Sequence, residues 1–188
     1  MKHDQTFNRA LFSACQTDAC REVERLLHEQ PSALRMRTPF GTWLHVAAGS
    51  GSLQVVEYLL SNGANPDEKG GTFGGSAINE AAGKGHRQVV RKLLEAGASL
   101  DTSEPERNPL FSAIYGGHIE LVKLLVESGI DYRVFYTGEY MKEMDAIAFA
   151  QERGQTEISS YLRSLQNVAE PLHRKDTDKP PRAPHIKR

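Results

Sequence analysis

Three of the seven histidines, the two cysteines and one glycine-rich run are the groups in this chain whose types and spacing could carry chemistry. His45, His86 and His118 could act as general bases or metal ligands, because imidazole titrates near neutral pH. Their places argue otherwise. His86 and His118 each follow a glycine, Gly85 and Gly117, at the start of a helical stretch, and His45 stands near the start of another. Histidines that recur at turns read as backbone hydrogen-bonding groups. Cys15 and Cys20 are five apart, with no second Cys or His pair to complete a tetrahedral zinc site. Two cysteines cannot build a disulfide framework, so both read as reduced thiols of a cytosolic protein, with Cys15 buried and inert. Gly70-Gly71-Thr72-Phe73-Gly74-Gly75 resembles a phosphate loop in glycine content only, since it lacks the Lys-Ser/Thr pair that holds phosphate and magnesium. The acids are scattered over solvent-facing helix positions. No catalytic, cofactor or metal residue is assigned, and the chain is not read as an enzyme.

The elements that position these groups follow a repeat. Leu44-His45-Val46-Ala47-Ala48, Gly51, Val55-Val56, Leu59-Leu60 and Gly63-Ala64 set a pattern. It recurs from Ile78 with Ala81-Ala82, Gly85, Val89-Val90, Leu93-Leu94 and Gly97-Ala98, and from Leu110 with Ala113, Gly117, Leu121-Val122, Leu124-Leu125 and Gly129. Weaker copies begin at Leu11 and Ile147. The starts at residues 11, 44, 78, 110 and 147 are spaced by 33, 34, 32 and 37. Each unit reads as a short helix with small residues, a glycine turn and a second helix with one apolar stripe. Gly51, Gly85 and Gly117 are expected between the two helices, and Gly63, Gly97 and Gly129 after the second. Thr42 and Asn108 stand where first helices should begin, with Pro109 at the first helical position. One unit cannot bury its stripe alone, so neighbours must stack into a quasi-one-dimensional core.

A period near 33 with this pattern, over roughly residues 7–165, resembles the ankyrin repeat, which implies an all-α repeat solenoid of about five units with β-turn or hairpin fingers. The family's Thr-Pro-Leu-His run becomes Thr42-Trp43-Leu44-His45, Ser76-Ala77-Ile78-Asn79 and Asn108-Pro109-Leu110-Phe111. The reading places the repeat domain at 1–166, with units starting near 7, 38, 72, 104 and 141, and a basic, proline-containing disordered tail at 167–188. The polar outer faces of the first and last units read as caps, so the array is expected to be complete. The final unit, from Met144, is similar to that of small stand-alone bacterial ankyrin proteins, some of which resemble immunity proteins that block a cognate toxin.

Such an array offers a concave surface of first helices and finger tips. Matching the family's pattern puts its partner-facing places on Thr38, Pro39, Phe40, Ser50, Phe73, Lys84, Glu104, Arg107, Tyr115, Met141, Lys142 and Arg153. The longest finger, 132–144, holds three of the chain's six tyrosines together with Phe135, Met141 and Met144. Aromatic residues and methionine are enriched at interfaces, so Tyr136, Glu139 and Tyr140 join the set, with Tyr136 and Tyr140 expected to be exposed. Val134, Phe135 and Met144 are open between a hairpin against the last helix and contact with a partner. The function implied is binding of another protein, a cognate toxin or effector among them, with a generic scaffold or regulator and a secreted effector as the alternatives. Composition agrees with a packed core, at 39% hydrophobic and 25% charged residues. A net charge of −1 gives no general pull toward nucleic acid or a membrane surface, and no apolar run is long enough to span a bilayer. The start of the chain lacks the apolar stretch of a secretory signal. The expectation is a cytoplasmic protein, monomeric on its own.

Overall fold

Each periodic stretch becomes a helix pair. A computed structural model describes residues 2–71, 74–138 and 142–169. The helices are α1 (Lys2–Gln16), α2 (Cys20–Glu29), α3 (Trp43–Ser50), α4 (Leu53–Ser61), α5 (Ala77–Lys84), α6 (Arg87–Glu95), α7 (Pro109–Gly116), α8 (Ile119–Glu127), α9 (Ala146–Glu152) and α10 (Thr156–Ala169). Odd-numbered helices are the first helices of five units and even-numbered ones the second. First helices pack in chain order, α1 on α3, α3 on α5, α5 on α7 and α7 on α9. Two-residue strands β1 (Arg37–Thr38) and β2 (Gly41–Thr42) make an antiparallel hairpin before α3.

The core lies where the repeat predicts. The stripes Val23/Leu26/Leu27, Val55/Val56/Leu59, Val89/Val90/Leu93 and Leu121/Val122/Leu125 are buried, as are Ile158 and Leu162. Ala47, Ala48, Ala81, Ala82 and Ala113 are fully buried, because methyl groups let neighbouring first helices approach closely.

Chain direction is set by local chemistry at helix ends. Asn108 Oδ1 accepts the Leu110 amide, and Asp145 caps α9 through the Ala148 amide. Thr42 with His45, and Ser76 with Asn79, form reciprocal capping boxes. The turn after each first helix needs one left-handed residue. Gly51, Gly85 and Gly117 supply it with φ of 75°, 85° and 74°. The first unit puts Asp18 there at φ 54°, and its carboxylate accepts the Val55 amide of the next unit at 3.0 Å.

The two ends differ from the sequence reading. Helix α1 begins at Lys2 rather than near residue 7, since no Gly or Pro interrupts Lys2–Gln16. Helix α10 continues to Ala169, so the first three residues of the predicted tail are helical. The rest of that tail lies outside the described residues.

Candidate protein-binding surface

The β1–β2 finger carries the first group of expected contact residues. Thr38 does not project from it. Its hydroxyl accepts the Phe40 amide at 3.0 Å and donates to the Gly41 carbonyl at 2.9 Å, which closes the turn. Gly41 has φ 93°, and a Cβ there would lie 2.5 Å from the Gly71 amide nitrogen, so successive fingers meet backbone to backbone. Beyond this contact Pro39 and Phe40 are exposed. Phe40, 54% exposed, has its ring 5.5 Å from that of Phe12 on α1. Phe12 was not singled out in the sequence. It occupies the repeat position of His45, Asn79 and Phe111, a signal that would have placed it on this face.

Polar residues at that repeat position organise the middle of the face. His45 Nδ1 accepts the Thr42 amide at 3.2 Å, and Nε2 donates to the Gly75 carbonyl at 3.2 Å. Burial holds the His45 pKa below the usual imidazole value, although the Gly75 carbonyl and the charge of Glu80 act the other way. Asn79 repeats the cap, with Oδ1 accepting the Ser76 amide at 3.0 Å. One turn later His86 Nε2 meets the Gly49 carbonyl at 3.2 Å, and His118 Nε2 meets that of Gly83 at 3.3 Å. All three histidines are occupied by backbone carbonyls. Burial pushes the Cys15 thiol up to about 12, which removes it as a nucleophile near neutral pH. Among the described residues no cluster of His, Cys, Asp and Glu could hold a metal ion.

The last two units replace polar contacts with aromatic ones. Phe111 stacks on Phe149 at 4.8 Å and meets the edge of Tyr136 at 5.1 Å. Here a sequence expectation is overturned, because Tyr136 is 9% exposed and belongs to the core. Its hydroxyl donates to the Thr102 carbonyl at 2.8 Å and accepts from Asn108 Nδ2 at 3.0 Å. Its backbone pairs with that of Met144, which is buried as well. A phenol with both ends satisfied inside the fold has nothing left for a partner. The open question over the same finger divides by residue: Met144 is buried, Val134 half-buried and Phe135 63% exposed.

Tyr115, at the end of α7, is 59% exposed. Over its ring, at 4.0 Å, lies the guanidinium of Arg153 from the next unit. Lys84 and Lys142 are exposed and Ser50 is half-buried. Glu104 and Arg107 pair with each other at 3.1 Å. Phe73, Glu139, Tyr140 and Met141 lie outside the described residues. Of the expected contact residues, the fold thus brings Phe40, Lys84, Tyr115 and Arg153 to the open surface of the first helices and fingers, uses Thr38 in a turn and buries Tyr136.

Stacked helix pairs with an exposed first-helix face define a helical repeat solenoid. Residues 44–136 match the family model for ankyrin repeats in three copies. The protein is an ankyrin-repeat protein, and ankyrin repeats are protein–protein interaction modules rather than catalytic units. Among the described residues no helix is long and apolar enough to cross a membrane.

Proposed function

We propose that this protein works by binding one partner protein across the face made by its first helices and fingers. The observation that carries this reading is the placement of two exposed aromatic groups, Phe40 on the second unit's finger against Phe12 of the first helix, and Tyr115 on the fourth unit under Arg153. Between them the first helices end in small or polar residues, Gly49-Ser50 and Gly83-Lys84. Aromatic and arginine anchors dominate interface energies, and small residues let a partner's surface approach between them. A standard interface takes about 800 Å² from each partner, within reach of five units.

The partner class we favour is a toxin whose active site the concave face would occlude, with this protein as its cytoplasmic, monomeric immunity factor. That choice rests on the resemblance of the final unit to immunity-like ankyrin proteins.

The experiment is stoichiometric co-purification from native lysate with wild type, Phe40→Ala and Tyr115→Ala. Each substitution is expected to cost about 2 kcal/mol of affinity, or roughly thirtyfold, with little change in thermal stability. A partner held equally well by all three proteins would refute the surface assignment. A partner whose own activity survives intact in the complex would refute the immunity role alone.

A further inference from the structure

Arg153 differs from the arginines that form ion pairs within the chain. Arg25, Arg37 and Arg107 each hold a carboxylate of this chain. Arg153 holds none among the described residues, and lies instead 4.0 Å from the Tyr115 ring centre and 5.8 Å from that of Phe149. At 4.0 Å the flat face of a guanidinium rests on the ring, and its N–H donors run outward in the plane of the group. Stacking fixes the side chain while leaving its hydrogen-bonding edge unused. The entropic cost of ordering a long side chain is then met before any ligand arrives.

The surroundings are open to negative charge. A Cβ on Gly116 would come 2.5 Å from the Gly83 carbonyl, so these two backbones touch, and their chain neighbours Tyr115 and Lys84 leave the surface beside the same seam. Lys84 is exposed and has no acid partner among the described residues. Glu80, the acid one turn before it, leans toward the preceding unit, where a Cβ on Gly49 would lie 3.8 Å from its Oε2. Glu152 precedes Arg153, but successive helical side chains diverge by about 100°.

We infer that Arg153, seated on Tyr115, is the anchor for a carboxylate of the bound protein, supplied by an Asp or Glu side chain or by a free C-terminus. A carboxylate matches the guanidinium edge with two parallel hydrogen bonds, the Tyr115 ring takes the apolar part of the same residue, and Lys84 adds positive charge. The assignment rests on the reading that this face binds protein.

The test uses the full chain and a display library of short random peptides, selected on wild type after depletion on Tyr115→Ala. The expected set carries an acid at one position or needs a free C-terminus. Synthetic versions with the acid replaced by its amide, or with the C-terminus amidated, tell these sources apart. By calorimetry, Arg153→Gln is expected to weaken the carboxylate peptide at least about tenfold and the neutralised peptide less than about twofold, while Arg153→Lys recovers only part of the loss. Selected peptides that carry no acidic side chain and tolerate amidation of the C-terminus overturn the inference, and so do losses from Arg153→Gln and from neutralisation that simply multiply. Acid-free, amidation-tolerant peptides that still lose affinity on Phe40→Ala remove this inference and leave the protein-binding reading standing. A library yielding nothing that depends on this face removes both.

Discussion

The hydroxyl of Tyr136 ties three segments together: the Thr102 carbonyl of one finger, the Asn108 side chain that caps α7, and the strand position paired with Met144. Tyr136→Phe keeps the ring against Phe111 and leaves the Asn108 amide, which is 1% exposed, without an acceptor. The expected cost is about 1–3 kcal/mol, read as a lower urea midpoint with unchanged slope. A midpoint within error of wild type would mean that water satisfies Asn108. His45 makes a second prediction at this scale. Protonation at Nδ1 would place a proton where the Thr42 amide already points. Its folded pKa lies below the unfolded value of 6.5, so the unfolded state binds the proton first. The stabilisation is complete above that value and is lost as pH falls through the folded pKa. Wild type should therefore lose stability on acidification more steeply than His45→Asn, which copies the Asn79 cap and has no proton to gain. Parallel stability–pH curves would refute this.

At the scale of the element, units are fastened by side chains that cross from one helix pair to the next. His86 and His118, at the N-caps of α6 and α8, reach back to carbonyls of the preceding unit. Asp18 works in the opposite direction, from the turn after α1 to the Val55 amide on α4. It holds a left-handed conformation that the other units give to glycine. Asp18→Ala loses the acceptor and keeps an unfavourable φ, whereas Asp18→Gly loses the acceptor and relaxes the backbone. The alanine variant should lose about 1–2 kcal/mol and the glycine variant clearly less, by chemical denaturation. Equal losses would show that the hydrogen bond alone matters and that the turn is unstrained.

For the whole molecule, stability is a sum of units and of the interfaces between neighbours. Helices α3, α5 and α7 have a first helix packed on both sides, while α1 and the α9–α10 pair have neighbours on one side. Native-state hydrogen exchange should show the greatest protection in α3, α5 and α7, falling toward α1 and α10. Uniform protection along the chain would indicate a single cooperative unit. The proposed binding surface belongs to this scale too, since Tyr115 and Arg153 come from different units and meet only through stacking.

By itself the sequence determined the repeat: the helix pairs, the glycine turns, the caps at Thr42 and Asn108, the alanines between first helices and the buried valine and leucine stripes. Each of these depends on residue types within one turn or one period, so spacing reveals them. The backbone hydrogen bonding of His45, His86 and His118 was legible for the same reason. Tertiary structure alone decided which finger aromatics face inward. Tyr136 and Phe135 are adjacent and both aromatic, yet one is buried and the other exposed, because only Tyr136 finds Thr102, Asn108 and Phe111 within reach. Likewise, family spacing marks Phe40, Tyr115 and Arg153 one at a time, while the pairing of Phe40 with Phe12 and of Arg153 with Tyr115 arises from contacts between neighbouring units. A solenoid writes its local conformation into every unit, but its partnerships are made one repeat away, where sequence spacing carries no side-chain direction.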